Sequence, residues 1–359
     1  MHIVLAGGGT AGHIEPALNT ADALRARDCG YSFSILGTAK GLETTLVPAR
    51  GYELTLIPAV PLPRRISGDL FTVPTRLLSA IDAVSKHLIE RRASVVVGFG
   101  GYVSLPAYLA ARKLGIPIVV HEANARPGLA NRIGARFATA VVDTVAGSIK
   151  GAVTLGLPLR FAIRNLDKTA GRSAAVEIWG LDPNKKTILV FGGSQGARSL
   201  NEVVAAAAEA LTKSGYQILH SVGSANADQL VSNIPGYKTV PYIERMDFAY
   251  AIADVAVSRA GAMTVAELTA VGIPAVYVPL AIGNGEQRLN AEPVAKAGGG
   301  VVIEGVNFNP QILTKTLSEW LEQDLQILSN AAAACGHADA VESFVDIIIS
   351  AGRSHKETL

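Results

Sequence analysis

Apolar and polar positions along the chain switch repeatedly between two periods. Short apolar runs, typical of buried strands, alternate with longer stretches that place apolar residues three and four apart, as in amphipathic helices. In the first half, the predicted strands are His2–Ala6, Ser32–Leu36, Glu53–Ile57, Ser94–Phe99, Ile116–Val120 and Ala140–Val142. Helical patterns between them include Glu15–Arg27, Leu70–Glu90 and Leu105–Leu114. Strands separated by helices predict a parallel sheet with right-handed crossovers.

The second half repeats this α/β plan. Its predicted strands are Thr187–Phe191, Gln217–Ser221, Lys238–Val240, Val255–Val257, Ala275–Val278 and Gly300–Ile303. The pattern breaks down between Leu157 and Pro183, so we place a linker near Leu157–Ala162. A chain of 359 residues also exceeds the usual size of a single core. We predict two domains, 1–160 and 161–337, with a C-terminal helix at about 338–359 packed on the first.

Composition narrows the class of protein. Apolar residues make up 49% of the chain and aromatic residues 6%, with 36 glycines, which is typical of a compact α/β protein and not of disorder. Cys29 and Cys335 are the only cysteines, so a disulfide framework or a cysteine-based zinc site is not expected. No apolar run approaches the roughly 18 residues that span a bilayer. We therefore expect a soluble or peripheral protein.

Charge is unevenly distributed although the net charge is only +2. Residues 1–160 carry 17 Lys and Arg against 10 Asp and Glu, whereas residues 161–359 carry 15 against 20. A basic first half attracts an anionic surface or substrate. Charge alone does not distinguish a lipid surface, a nucleic acid and a phosphorylated small molecule.

Two glycine-rich turns occupy matching places in the two halves, at Gly7–Gly12 and Gly192–Gly196. Each follows an apolar strand and precedes a helix, an arrangement that points backbone N–H groups and the helix dipole at an anion. The first turn also fits the dinucleotide pattern, but that interpretation needs an acidic residue at the end of the second strand. The segment SFSILGTAKG lacks one. A nucleotide-sugar site is therefore favoured over a hydride-transfer site.

Polar residues of the first half follow its strands at their carboxyl ends, where ligands of open parallel sheets bind. His13 comes directly after the first glycine turn, where a helix begins. A helix N-terminus lowers the pKa of a histidine, and a neutral imidazole can act as a general base. A third turn, Gly98–Pro106, and the segment His121–Asn124 follow two further strands. We interpret both as ligand-facing.

The second half supplies groups suited to a nucleotide sugar. The small residues Ala260–Ala262 permit close approach of a ligand, and Glu267, one turn into the next helix, can accept both hydroxyls of a ribose. Gln287 and Asn290 share a helical face, where their amides suit sugar hydroxyls. No Asp-x-Asp triplet is present to hold a metal. Helix dipoles, Ser194 and Arg160 are therefore expected to stabilise the leaving group.

Five segments in order, GGGTAGHIEPAL, GGYVSLPAYLAA, HEANARPGLANR, GGSQGARSLN and RAGAMTVAEL, resemble the MurG family of peptidoglycan glycosyltransferases. The resemblance covers nearly the whole chain. It implies the GT-B architecture, in which two Rossmann-like domains face each other across a cleft. It also implies inverting transfer of N-acetylglucosamine (GlcNAc) from UDP-GlcNAc to the 4-hydroxyl of N-acetylmuramic acid (MurNAc) in undecaprenyl-pyrophosphoryl-MurNAc-pentapeptide (lipid I). The products would be lipid II and UDP, with no obligatory cofactor or metal.

The resemblance assigns roles to individual residues. In the first domain, His13 would be the base for the acceptor hydroxyl, and the residues lining the cleft or touching GlcNAc would be Thr10, Ala11, Gly12 and Asn124. Arg160, at the linker, would contact the diphosphate. In the second domain, the residues near the phosphates or the sugar would be Ser194, Gln195, Met263, Thr264, Gln287 and Asn290. The Ile243 backbone would contact uracil, and Glu267 would hold the ribose.

The acceptor implied by the resemblance carries a polyprenyl tail, so we expect peripheral attachment at the cytoplasmic face of the cell membrane. The segment Pro63–Val84 mixes three arginines with apolar residues that include Phe71, Leu77 and Leu78, which predicts contact with an anionic membrane surface. An amphipathic helix that faces its own core explains the same pattern equally well. Proteins of the division or elongation machinery are possible partners, and nucleic acid is not.

Three alternatives remain open from the sequence. The first is a UDP-sugar glycosyltransferase with another lipid-linked acceptor. The second is an NAD(P)- or flavin-dependent oxidoreductase, which the glycine turns alone would also permit. The third is a non-catalytic nucleotide-binding adaptor, which would bind UDP without releasing it from a sugar donor.

Overall fold

The structure is a computed structural model that describes residues 1–60, 73–193, 196–229, 233–280 and 285–356. The chain divides into two compact units. The first unit comprises Met1–Leu159 together with Asp339–Leu359, and the second comprises Arg160–Ala338. The predicted domains, 1–160 and 161–337, differ from this division by one residue at each junction.

The first unit is built on a seven-stranded sheet in which every neighbouring pair is parallel. Its strands are β1 (His2–Ala6), β2 (Ser32–Gly37), β3 (Leu54–Leu56), β4 (Ala93–Gly98), β5 (Ile118–Glu122), β6 (Ala140–Asp143) and β7 (Val153–Thr154). They lie in the order β3-β2-β1-β4-β5-β6-β7. The six predicted strands are present, and the unpredicted β7 is too short to show a period.

Six helices of the described residues belong to the first unit. They are α1 (Ala11–Arg27), α2 (Glu43–Ala49), α3 (Val73–Glu90), α4 (Ser104–Lys113), α5 (Leu129–Gly134) and α14 (Ala340–Lys356). Helix α1 begins four residues before the predicted start at Glu15, directly after the glycine turn. The C-terminal helix α14 returns to this unit, because Val341, Phe344 and Ile348 are buried in the core that Leu5 and Val97 also form.

The second unit contains a six-stranded parallel sheet. Its strands are β8 (Thr187–Phe191), β9 (Gln217–Ser221), β10 (Tyr237–Val240), β11 (Val255–Ser258), β12 (Ala275–Tyr277) and β13 (Gly300–Val302), in the order β10-β9-β8-β11-β12-β13. Its helices are α6 (Phe161–Arg164), α7 (Lys168–Trp179), α8 (Arg198–Lys213), α9 (Met246–Ile252), α10 (Ala262–Ala270), α11 (Glu286–Lys296), α12 (Pro310–Leu321) and α13 (Leu325–Ala333).

The expected loss of pattern between Leu157 and Pro183 was wrong, because this stretch holds α6 and the three-turn helix α7. Asp167 caps α7 by accepting a hydrogen bond from the Ala170 N–H at 3.0 Å. Gly180 ends the helix in the left-handed conformation, with φ of 64°. A residue with a short acceptor side chain at the start and a glycine at the end are standard helix boundaries.

Both sheets reverse their strand order at one point, between β1 and β4 in the first unit and between β8 and β11 in the second. Because all strands are parallel, their carboxyl ends share one edge of each sheet. A crevice at such a reversal is the usual ligand site of open α/β sheets. In each unit a glycine turn follows one of the two strands that flank this point, so the fold places candidate sites there.

Within the described ranges, no helix is both long and apolar enough to cross a membrane.

Candidate active site

The second unit has an open pocket of about 620 Å³ at the point where its strand order reverses. It is lined by Gly192, Gly193, Gly196, Ala197, Arg198, Ser199, Glu202, Arg259, Gly261, Thr264, Leu280 and Gln287. These residues come from the turn after β8, the turn after β11, the segment after β12 and the N-terminal parts of α8, α10 and α11. The glycines allow backbone to line the pocket closely, and Gly193 has φ of 95°, which favours glycine.

Two helix N-termini open on this pocket, those of α8 and α10. Their capping residues are Ala197 and Gly261, and neither makes a side-chain capping bond. Neither helix has an acidic residue in its first turn. The first-turn N–H groups and the positive ends of both helix dipoles therefore favour an anionic ligand such as a diphosphate.

Arg259 adds a positive charge to the pocket and was missed by the sequence analysis. Its guanidinium donates hydrogen bonds to the Val278 carbonyl at 3.1 Å and to Ser199 Oγ at 3.0 Å. Burial lowers the pKa of Arg259, but a guanidinium remains charged at neutral pH. Its place directly after β11 was the sequence signal that could have identified it.

Gln287 and Asn290 both bind the backbone of Ala260 in the turn after β11. Gln287 Oε1 accepts from the N–H groups of Ala260 at 3.3 Å and Leu280 at 3.0 Å. Asn290 is buried and its Nδ2 donates to the Ala260 carbonyl at 3.4 Å. These contacts fix the turn that precedes α10. The contacts with GlcNAc that we expected for both residues stay predictions.

The structure brings Glu267 and Arg160 together within the second unit, although the sequence assigned them to different parts of a ligand. Glu267 is buried in α10, and its Oε1 lies 3.4 Å from a guanidinium nitrogen of Arg160. The Tyr250 hydroxyl donates to Glu267 Oε2 at 2.8 Å. Burial raises the pKa of Tyr250 well above its usual value, so its hydroxyl remains a donor. Tyr250 therefore fixes the orientation of the carboxylate.

The remaining candidates of the second unit lie near the same edge of its sheet or outside the described residues. Met263 and Thr264 are in the first turn of α10, and Thr264 lines the pocket. The side chain of Ile243 is buried in the core, which leaves its backbone for the predicted uracil contact. Ser194 and Gln195 lie outside the residues that the structure describes.

In the first unit, His13 lies in the first turn of α1, as expected from its position after the glycine turn. Its Nδ1 is 3.1 Å from Thr10 Oγ1. Burial lowers the pKa of His13, although a hydrogen bond with the Gly8 backbone opposes this shift. The ring packs against Gly100, where a Cβ atom would lie 3.3 Å from His13 Nε2. A neutral imidazole on this exposed turn can accept a proton.

Thr10, Ala11 and Gly12 remain accessible around His13. Thr10 and Gly12 are exposed and Ala11 is partly exposed. Thr10 precedes α1 but makes no side-chain capping bond. The three residues are thus available for the ligand contacts that the sequence predicted.

The interpretation of His121 and Glu122 as ligand-facing groups was wrong, because β5 extends to Glu122 and buries both. His121 Nε2 donates to the Gly156 carbonyl at 3.0 Å, and burial lowers the pKa of His121 to about 4. Glu122 accepts hydrogen bonds from the Asn124 N–H at 2.9 Å and from Asn131 Nδ2 at 2.9 Å. These residues order the following loop, in which Asn124 is partly exposed.

Among the residues described by the structure, no cluster of three or more His, Cys, Asp or Glu side chains is arranged to hold a metal ion.

Two Rossmann-like units with a glycine turn at each strand-order reversal, and a pocket suited to a diphosphate, define a nucleotide-sugar glycosyltransferase of the GT-B architecture. Residues 3–143 match the glycosyltransferase family 28 N-terminal domain, and residues 187–348 match the glycosyltransferase family 28 C-terminal domain. The chain therefore belongs to glycosyltransferase family 28.

Curated relatives share most of the sequence over nearly their full length. A Streptomyces avermitilis protein is 55% identical over 98% of both chains. A protein of Mycobacterium sp. (strain KMS) is 52% identical over 98% of this chain and 96% of its own. Both are named UDP-N-acetylglucosamine–N-acetylmuramyl-(pentapeptide) pyrophosphoryl-undecaprenol N-acetylglucosamine transferase.

Among solved structures, the chain is similar to Acinetobacter baumannii MurG, with a TM-score of 0.77 and 27% sequence identity. The match covers 97% of this chain and 99% of that one. The resemblance to the MurG family and the predicted fold class are confirmed by these findings.

Proposed function

We propose that this protein transfers GlcNAc from UDP-GlcNAc to the 4-hydroxyl of MurNAc in lipid I, giving lipid II and UDP. The names of relatives that are 51% to 55% identical over nearly the whole chain support this reaction. The observation that carries the proposal is the pocket of the second unit, where two uncapped helix N-termini and Arg259 surround a space of about 620 Å³.

In this proposal, the donor's diphosphate lies against the N-termini of α8 and α10. Glu267 accepts the ribose hydroxyls, the Ile243 backbone contacts uracil, and Arg160 contacts the diphosphate. Negative charge develops on the diphosphate as UDP leaves. Fixed N–H dipoles and the Arg259 guanidinium stabilise that charge without reorganisation, so no obligatory cofactor or metal is needed.

His13 is the proposed general base. The acceptor oxygen forms a bond to the anomeric carbon while the bond from that carbon to the phosphate oxygen breaks, and the hydroxyl proton moves to the imidazole. Attack from the side opposite the leaving UDP inverts the anomeric configuration. Because burial lowers the pKa of His13, the imidazole is neutral and ready to accept the proton at neutral pH.

A polyprenyl acceptor requires work at a bilayer surface, and we place the protein peripherally at the cytoplasmic face of the membrane. The described part of Pro63–Val84 begins at Val73, in α3, whereas residues 61–72, including Phe71, lie outside the described residues. Helix α3 buries Ala80 and Val84 in its own unit but leaves Arg76 and Leu78 exposed. We assign the exposed Arg76 and Leu78 in the N-terminal part of α3 to the proposed membrane contact.

A transfer assay tests the proposed reaction. Labelled UDP-GlcNAc is incubated with a short-chain lipid I analogue in the presence of a chelator, and labelled UDP-glucose serves as the specificity control in a parallel reaction. We expect labelled lipid II and much slower transfer from UDP-glucose. Absence of transfer to this acceptor, with transfer to another lipid-linked sugar, would assign a different acceptor. No release of UDP from UDP-GlcNAc with either acceptor would indicate a non-catalytic adaptor.

A further inference from the structure

Glu43, the first residue of α2, contacts the first glycine turn from the protein interior. Its side chain is fully buried. Glu43 Oε2 accepts the Gly9 N–H at 3.1 Å, while Oε1 accepts the Thr38 N–H at 2.8 Å and the Thr38 hydroxyl at 2.9 Å. The carboxylate therefore ties the turn after β1 to the turn after β2.

Three glycines form a cradle around this carboxylate. A Cβ atom at Gly37 or Gly41 would overlap the Glu43 side chain, and one at Gly8 would lie 3.1 Å from Oε1. None of the three has a positive φ, so the need for a left-handed conformation does not explain them. Instead, these positions require glycine because a larger side chain would enter the space that the Glu43 side chain occupies.

Glu43 is ionised at neutral pH. Burial opposes its ionisation, but hydrogen bonds from the backbone of Thr38, of Glu43 itself and of Gly9 outweigh burial and lower the pKa of the carboxyl group. The charge is thus balanced by oriented donors in the way that a bound anionic ligand would be.

The glycine turns after β1 and β8 share a sequence pattern, but their backbone N–H groups have different surroundings. The turn after β8 lines an open pocket with Arg259 beside it. In the turn after β1, the Gly9 amide is already bonded to a carboxylate of the protein. A phosphate placed at Gly9 would meet a like charge, whereas a phosphate in the pocket of the second unit would meet a guanidinium.

We propose that Glu43 is a positioning residue that takes the place of an anionic ligand at the first glycine turn and fixes that turn for catalysis. The turn contains Thr10 and leads directly into His13. Its Gly9 N–H donates to the Glu43 carboxylate, and the backbone of the adjacent Gly8 makes a hydrogen bond with the His13 ring. This inference rests on the proposed function, because it assigns the first turn to the base and leaves the nucleotide to the second unit.

The test compares Glu43→Gln with Glu53→Gln in the full chain. Glu53 is a matched control, since it is an exposed carboxylate of the same unit that pairs with Arg91. The Gln side chain has the same size but carries no charge. Its NH₂ group cannot accept a hydrogen bond, so the N–H of either Gly9 or Thr38 loses its acceptor. We expect kcat to fall at least tenfold in Glu43→Gln, while the KM for UDP-GlcNAc and the Kd for UDP stay within twofold. Glu53→Gln should behave as the wild type.

Chemical rescue separates positioning from a general loss of folding. Glu43→Ala removes the carboxylate and leaves a space lined by the same donors. Formate should enter that space and restore kcat several-fold in a saturable manner, whereas chloride at equal ionic strength should not. Absence of rescue by formate overturns the proposal whatever the melting temperature of the variant.

The two proposals fail in different ways. A wild-type protein that transfers no GlcNAc defeats the proposed function. An active wild type with an unchanged kcat in Glu43→Gln defeats the role of Glu43 alone.

Discussion

His13 is the residue on which the proposed proton transfer depends, and its surroundings decide its protonation state. Its ring lies between Thr10 and the glycine turn after β4, where burial disfavours the imidazolium ion. A neutral ring at the start of a helix is suited to accept a proton, and the helix dipole favours the same neutral state.

Replacing His13 by Ala should therefore remove the base and little else. We expect kcat for GlcNAc transfer to fall by about 100-fold or more, the usual contribution of a positioned general base. The Kd for UDP, measured by calorimetry, should stay unchanged because UDP is assigned to the second unit. His337→Ala, at an exposed position, is the control. Near-normal turnover in His13→Ala would refute the assignment of the base.

Glu267 is expected to govern donor affinity more than turnover. Its carboxylate is oriented by Tyr250 and Arg160, and Gln at this position keeps the size but loses the charge. A charge-assisted hydrogen bond contributes about 1.5–3 kcal/mol, so UDP should bind roughly 10- to 100-fold more weakly to Glu267→Gln. Glu209→Gln, an exposed carboxylate on α8, is the control. Equal UDP affinity in both variants would show that the ribose is held elsewhere.

At the scale of elements, the central strands, and hence the turns that follow them, were predictable because these strands are completely buried. Every residue of β1 and β8 is buried, so both appear in the sequence as continuous apolar runs. Helix α7 was not found because its polar exposed face and the nearby prolines masked a short amphipathic pattern. The extension of β5 through His121 and Glu122 was missed because polar residues at the end of a strand look like a loop.

The candidate site was predictable only in part, since pairing between distant residues is not visible in a linear pattern. The position of His13 at the start of its helix followed from the first glycine turn, and the positions of Thr264 and Glu267 followed from the small residues Ala260–Ala262 that precede theirs. The bond between Glu43 and Gly9 joins residues that are 34 positions apart and depends on the parallel pairing of β1 with β2. The contact between Arg160 and Glu267 spans 107 positions.

Helix α3 provides a prediction about membrane attachment. Leu78 on this helix is 66% exposed, and Arg76, two residues before it, is also exposed. Burial of a leucine in an apolar environment contributes at most about 1.5–3 kcal/mol, so Leu78→Asp should reduce binding to anionic vesicles several-fold in a co-sedimentation assay. Ile327→Asp is the matched control, because Ile327 is 72% exposed on α13 of the second unit. Unchanged vesicle binding by a folded Leu78→Asp variant would reject this role of α3.

At the scale of the whole molecule, both units contain buried histidines whose neutral form the fold requires. Burial lowers the pKa of His2, His121 and His220 from 6.5 to about 4 in each case. Below pH 6.5 the unfolded chain binds protons at these positions while the folded chain does not. Their contribution to stability is therefore complete above pH 6.5 and is lost as the pH falls toward 4.

Urea unfolding at a series of pH values checks this expectation. The free energy of unfolding should decrease between pH 6.5 and pH 4. The decrease should be smaller in His220→Gln, which lacks one of the three imidazoles. An identical pH dependence in that variant and the wild type would show that His220 is not buried in its neutral form.

The division of roles between the units is the central claim, because the proposed reaction assigns the donor to the second unit and the base to the first. A crystal structure of the full chain with UDP-GlcNAc, grown in the presence of a chelator, tests it most directly. The account predicts the diphosphate at the N-termini of α8 and α10, within hydrogen-bond distance of Arg259, and the ribose on Glu267. A diphosphate bound to the Gly7–Gly12 turn, or joined to carboxylates through a metal ion, would contradict it.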